Sequence, residues 1–324
     1  MKIFVHVHGY PPNHNAGAEW MLHHMLKWLK ANGHQILVAV PDPGAKEFEG
    51  IPIVAEYERV HVRKRYEWAD IIISHLVKAG KAINNCKVVD KPALFLMHNS
   101  HRYTHIENIA HRSALVFNSE YTKSVPWYDH KDSVVVYPPC PVKYYKTNRG
   151  GAKYVTLINH SKPKGSDLFF QLAAALPEVE FMAVRGDYDH QEKEQMDNVT
   201  FKENTPQIQK QYALTKVLLM PSRYESFGRT AIEAAASGIP TIAAPTEGLK
   251  ESLGSAGIYC DPSDPKAWEE ELTKLLTDKD YYKERSDLAR QRAEGLEELF
   301  VPQMEAMVDL MQKAIDRKVK DQRK

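Results

Sequence analysis

The chain has 324 residues, 43% hydrophobic and 26% charged, with 43 Lys plus Arg against 42 Asp plus Glu, a net charge of +1. This is a globular composition that excludes a disordered or collagen-like chain, and the length suffices for two cores of about 150 residues each. It holds no apolar run long enough to cross a bilayer, no basic-then-apolar leader and no Cys-x-x-Cys pair among Cys86, Cys140 and Cys260, so a reducing, cytoplasmic setting is expected.

In chain order, apolar runs at 3–7, 36–40, 71–73, 93–97, 115–117 and 134–137 alternate with helix-compatible stretches. A second series follows at 153–158, 181–184, 199–201, 217–220, 241–244 and 257–260. Such alternation predicts an α/β protein with parallel sheets. Between the series, Pro138 to Gly151 is rich in Pro and Gly, which predicts a hinge and the division 1–145, 146–300 and a terminal segment 301–324. In that segment Met304, Met307, Val308, Met311 and Ile315 recur at helical spacing, a packing stripe.

Function-bearing positions sit at the ends of these runs. Gly17 precedes the first helix, and His98 follows the run 93–97 at its carboxyl end, where open α/β sheets place ligands. The run Val217 to Met220 is stopped by Pro221, and Thr230 to Ala236 is helical in composition with Gly238 as its C-cap. Glu225 therefore falls in a loop and Glu233 within a helix. The backbone N–H groups of Phe227, Gly228 and Arg229 at that boundary suit a phosphate, and Glu233, an acceptor-only group, suits a ribose diol. Taken alone, the two carboxylates read as a helix cap and a surface charge. Neither a Gly-x-Gly-x-x-Gly nor a Walker loop is present, which removes the main support for dinucleotide oxidoreductases and ATPases.

The stretch from Pro221 to Pro240, with Glu225 and Glu233 eight residues apart between Pro-Ser, Phe-Gly and Glu-Ala-x-Ala-x-Gly-x-Pro, resembles the Glu-x7-Glu motif of retaining glycosyltransferases of family 4. The resemblance implies the GT-B fold, two Rossmann-like parallel-sheet domains facing a central cleft. It also implies transfer of a sugar from a nucleoside diphosphate to a hydroxyl, without a metal or cofactor. Glu225 would then face the donor sugar and Glu233 the ribose. Gly17 would approach the diphosphate, although Ala16 stands where the family has a second glycine. His98 would line the cleft between donor and acceptor, Ser119 would be a further cleft residue, and Gly33-His34 is a structural turn. Lys164-Gly165 matches the family's Lys-Gly, but its Arg is missing, with Ile158, Asn159 or His160 in its place. Lys162, Arg185, Arg223 and Arg229 are the candidate replacements. Arg185-Gly186-Asp187 resembles the turn beside the base, and Glu251 is a secondary donor-side residue. The expected catalytic residues are thus His98, Lys164 and Glu225; the donor set is Gly17, Lys164, Glu225, Phe227, Gly228, Arg229 and Glu233, with Lys162, Arg185 and Glu251 beside it.

No metal ligands are expected. Asp187-Tyr-Asp189 and Asp278-Lys-Asp280 read as solvated turns, and His98, His101 and His105 as an acceptor-side segment. Residues 1–145 carry 17 Lys plus Arg against 13 Asp plus Glu, and residues 313–324 six against two. Arg59, Arg63, Lys64, Arg65, Arg317, Lys318, Lys320, Arg323 and Lys324 make an anionic or lipid-linked acceptor, with peripheral membrane contact, the expected partner; nucleic acid is not expected. Two other classes fit the motifs: a sugar-nucleotide epimerase, which works without an acceptor, and a catalytically silent nucleotide-sugar-binding protein.

Overall fold

The computed structural model describes residues 1–56, 59–101, 113–126 and 132–321. The chain forms two compact units: Met1–Pro139 with Phe300–Lys324, and Cys140–Leu299.

The first unit holds strands β1 (Lys2–His6), β2 (Gln35–Val40), β3 (Glu47–Phe48), β4 (Ile51–Ala55), β5 (Ile71–His75), β6 (Ala93–Met97), β7 (Ser113–Phe117) and β8 (Ser133–Val135), in the order β3-β4-β2-β1-β5-β6-β7-β8. All neighbours pair in parallel except the β3–β4 hairpin. The helices are α1 (Gly17–Ala31), α2 (Arg59–Trp68), α3 (Ala79–Val89) and α4 (Glu120–Ser124). Every residue of Ile71–His75 is buried, as a parallel strand covered on both faces requires. The two-residue period assigns alternate side chains to opposite layers. Ile3, Val5, Ile71, Ile73, Leu94 and Leu96 pack with Leu26 and Met307, whereas Phe4, Ile72, Phe95 and Phe117 pack with Tyr66 and Ile83.

The second unit holds β9 (Tyr154–Ile158), β10 (Phe181–Val184), β11 (Val199–Lys202), β12 (Thr215–Met220), β13 (Thr241–Ala243) and β14 (Gly257–Tyr259), ordered β11-β10-β9-β12-β13-β14. All of these pairings are parallel. Its helices are α5 (Val142–Tyr145), α6 (Ser166–Ala175), α7 (Gln209–Tyr212), α8 (Arg229–Ala236), α9 (Glu247–Leu253) and α10 (Pro265–Thr277). Phe169, Phe170, Phe181 and Trp268 centre its core.

The last helix, α11 (Lys279–Asp321), contributes to both units. Met304, Met307 and Met311 of its apolar stripe are fully buried in the core of the first unit, while Val308 and Ile315 are only partly buried. The division falls after Pro139 instead of after residue 145, because Tyr145 and Thr147 are tied to α8 and the residues after it. Thr147 N donates to Ser237 Oγ at 2.9 Å, and Ser237 Oγ donates to the Tyr145 carbonyl at 2.9 Å. The pair β3–β4 was not expected from the sequence: Pro52 lacks a donor and speaks against a strand, yet it sits in the hairpin opposite Glu47.

Candidate functional site

In the second unit β9 lies between β10 and β12, so the strand order reverses there. The loops leaving the carboxyl ends of β9 and β12 border the place where open α/β sheets take ligands. These loops are pinned together: Arg223 N donates to the Pro163 carbonyl at 3.0 Å. Gly165 sits at φ +86° with the Pro221 carbonyl oxygen 2.5 Å from where a Cβ would stand, so a side chain is excluded on both counts. Lys164 closes the short 3-10 turn Lys162–Lys164, and its Nζ lies 2.6 Å from Glu225 Oε1, which also accepts from Ser222 Oγ at 2.9 Å. The lysine side chain is 28% exposed and the glutamate 12%. An ammonium and a carboxylate from loops 61 residues apart thus stand together within reach of solvent, a cation for phosphate beside an acceptor for hydroxyls.

Gly228 is the N-cap of α8 at φ +82°, with Leu249 of α9 2.5 Å from the position of a Cβ. At Gly248 an added Cβ would meet the Glu225 carbonyl oxygen at 2.2 Å. Helix α9 therefore packs directly on the backbone that carries Glu225.

In the first unit, Gly17 opens α1 behind Ala16, whose φ of −121° is ordinary for alanine. No atom lies within 4 Å of a Cβ built on Gly17, so its backbone can be approached. His98 follows β6; its Nε2 lies 2.8 Å from Nδ1 of His75, the last residue of β5, and its carbonyl accepts from Asn118 Nδ2 at 3.1 Å. Burial, reinforced by His8, pushes the His98 imidazole down to about 3, so it is neutral near pH 7.

Residues 151–293 match the family described as Glycosyl transferases group 1. D-inositol 3-phosphate glycosyltransferases of Corynebacterium urealyticum and Corynebacterium diphtheriae are 39% and 42% identical over 84 and 69 residues, which are 25% and 21% of this chain. Those matches span only 20% and 16% of the relatives' own length. Anabaena HepE, solved with UDP-glucose, is similar with a TM-score of 0.76 at 18% identity, over 99% of this chain and 100% of that one. Sucrose-phosphate synthase from Thermosynechococcus elongatus is similar with a TM-score of 0.74 at 15% identity, over 97% and 100%. The fold is GT-B.

Within this GT-B chain several expected site residues take other places. Arg229 and Glu233 are both buried and pair at 3.0 Å, with the glutamate side chain only 9% exposed. Tyr212 OH donates to Glu233 Oε2 at 2.7 Å, and the Arg229 guanidinium donates to Tyr145 OH and lies over its ring. Burial raises the Tyr212 phenol well above its ordinary range, with Glu233 adding to it; burial opposes the Arg229 charge, but Glu233, Tyr145, Cys140 and Tyr212 together more than offset this. Glu233 is therefore the counter-ion of Arg229, with the Tyr212 phenol on its other oxygen. The phenols that fix this arrangement come from α5 and α7, which the motif does not include. Phe227 is also buried.

Asn159, in the region of the missing Arg, sits at φ +66° and accepts from Gln191 Nε2 at 2.8 Å. With Gly186 packed on its side chain, it closes the loop after β9 onto the turn after β10. Arg185 is exposed and pairs with Glu203 at 3.3 Å, whereas Lys162 and Arg223 are exposed cations flanking Lys164 in sequence or across the Pro163 bond. Glu251 lies half-buried in α9, its carbonyl held by Arg292. Ser119 is not an open side chain: fully buried, it caps α4, accepting from Thr122 N at 2.9 Å. Asp278 Oδ1 accepts from the backbone of Asp280 and Tyr281, the start of α11, while Asp187 and Asp189 are exposed.

The basic clusters are partly engaged. Arg63 pairs with Glu67 at 2.8 Å, Arg65 donates to the Ala55 carbonyl at 2.8 Å, and Arg317 holds Asp132 through both of its terminal nitrogens at 2.5 Å. His101 N donates to Asn99 Oδ1 at 3.1 Å. His105, Arg323 and Lys324 lie outside the described residues, as do the side chains of Arg59, Lys318 and Lys320. Sequence reasoning missed Tyr145, Tyr212 and His75. His75 carried a usable signal, since it ends the apolar run Ile71–His75 as His98 follows the next one.

Proposed function

We infer that this chain is a retaining glycosyltransferase that moves a sugar from a nucleoside diphosphate to a hydroxyl acceptor. The observation that carries the reading is the Lys164–Glu225 pair, at 2.6 Å, at the strand-order reversal of the second unit. The family match over residues 151–293, which covers this unit's sheet, supports it. The bond between the anomeric carbon and the diphosphate oxygen breaks with its electron pair left on oxygen, where Lys164 stabilises the charge. The acceptor oxygen attacks on the same face, and its proton passes to the leaving phosphate. No separate base is then needed. Glu225 orients the sugar hydroxyls, Lys162 and Arg223 supply further positive charge, and His98 is an acceptor-side residue in neutral form.

The UDP-glucose bound by HepE makes a uridine diphosphate sugar the first donor to test. Calorimetry with UDP, GDP, ADP and CMP identifies the nucleotide, and mass spectrometry of donor incubated with and without hydroxyl acceptors identifies the reaction. Transfer or slow donor hydrolysis is expected, with the anomeric configuration kept. Interconversion of the donor to an epimer without acceptor would replace this reading, as would tight nucleotide binding with neither transfer nor hydrolysis.

A further inference from the structure

The first unit has its own strand-order reversal, between β1 and β5, with β2 on the far side of β1 and β6 on the far side of β5. Its carboxyl ends gather three side chains from three elements. His8 lies two residues past β1, Glu19 in the first turn of α1, and His75 at the end of β5. One ligand-capable atom from each falls within 4.8 Å of the other two. We propose that His8, Glu19 and His75 bind a divalent transition-metal cation, Zn²⁺ being the probe of choice.

The donor set argues for it. Two imidazoles and one carboxylate form the three-ligand set of zinc sites that keep an open position. Bonds of about 2.0–2.2 Å place tetrahedral ligand atoms roughly 3.4 Å apart, and His8 Nε2 and Glu19 Oε1 already stand 3.3 Å apart. The ligand-capable nitrogen of His75 stands no farther than 4.8 Å from either of them. The His75 ring is fully buried, and among the described residues its Nε2 has no hydrogen-bond partner. An imidazole nitrogen held in this way is costly unless something occupies it. The other ring nitrogen, Nδ1, meets His98 Nε2 at 2.8 Å, the outer contact that orients a metal-bound imidazole and selects its tautomer. Glu19 is fully buried, and the His8 side chain, 19% exposed, leaves an approach from solvent. The metal-free expectation concerned His98, His101 and His105, whereas His8, Glu19 and His75 come together only through the sheet order.

Full-length protein stripped with a chelator is titrated with ZnCl₂ by calorimetry and with CoCl₂ by visible absorption. One ion per chain is expected, with the d–d bands of four-coordinate cobalt. His75→Ala and Glu19→Gln should each weaken Zn²⁺ binding by more than about 100-fold, and His98→Ala, acting on the outer contact, by roughly 10- to 100-fold. A control at an exposed histidine, His190→Ala, should leave binding unchanged. Absence of a stoichiometric ion and of cobalt bands in the wild-type chain overturns the proposal, and that measurement stands whether or not every variant folds. Unchanged affinity in Glu19→Gln and His75→Ala overturns it as well.

Discussion

Lys164 Nζ and Glu225 Oε1 meet at 2.6 Å although they belong to loops that follow two different strands, β9 and β12. The pair exists because β9 and β12 are neighbours in the sheet, with Leu157 opposite Leu219. Replacing Lys164 by Ala removes the cation proposed to meet the leaving phosphate. Turnover should fall about 10²- to 10³-fold, while the thermal midpoint changes little because the pair is partly exposed. A rate within threefold of wild type would remove Lys164 from the chemistry.

Glu233→Ala leaves the buried Arg229 guanidinium without its counter-ion. The expected loss is about 3–5 kcal/mol, and the double change Arg229→Met with Glu233→Leu should recover most of it. Urea unfolding at pH 7 measures both. If Glu233 acted only on ribose, the single variant would keep its stability and lose nucleotide affinity alone.

Glycine tolerance separates two positions that look alike in sequence. Gly165→Ala combines a left-handed φ with contact on the Pro221 backbone and should cost at least about 1–2 kcal/mol. Gly17→Ala meets no atom within 4 Å and should stay within roughly 0.5 kcal/mol of wild type. Denaturant midpoints of the two variants, read side by side, check the contrast.

Glu56 lies between one imidazole and two ammonium groups: His6 Nε2 stands 3.1 Å from it, and Lys78 and Lys81 each donate to it. Burial alone would raise its carboxyl, but these hydrogen bonds outweigh burial and bring it from 4.5 down to about 2. The folded value is below the unfolded one, so the stabilisation is fully present above about pH 4.5 and is lost as pH falls through about 2. Melting curves of wild type and Glu56→Gln between pH 6 and 2 should converge as pH drops. A constant difference across that window would show that the carboxylate charge is not the cause.

The alternation of apolar runs and the stretch around Glu225 made the parallel-sheet architecture and the second unit's loop-to-helix boundary legible without coordinates. Strand identity is local, since a buried parallel strand needs a short continuous apolar run. The position of Glu225 in a loop and of Glu233 in α8 follows from Pro221 and Gly238 in the same way. The hairpin of β3 and β4 was hidden because Pro52 breaks the local rule, and β4 is held as a strand by its pairing with β3 on one side and β2 on the other.

What the sequence by itself determined was which residues lie at strand ends and helix starts, because backbone propensity and hydrophobic period act over a few residues. Which of them meet was decided by strand order and by helices distant in the chain. Tyr145 and Tyr212 turn Arg229 and Glu233 inward, Ser119 becomes a cap, and His8, Glu19 and His75 converge from three elements. A side chain's partners depend on which long-range neighbours exclude water from it, and that is fixed only when the sheets are assembled.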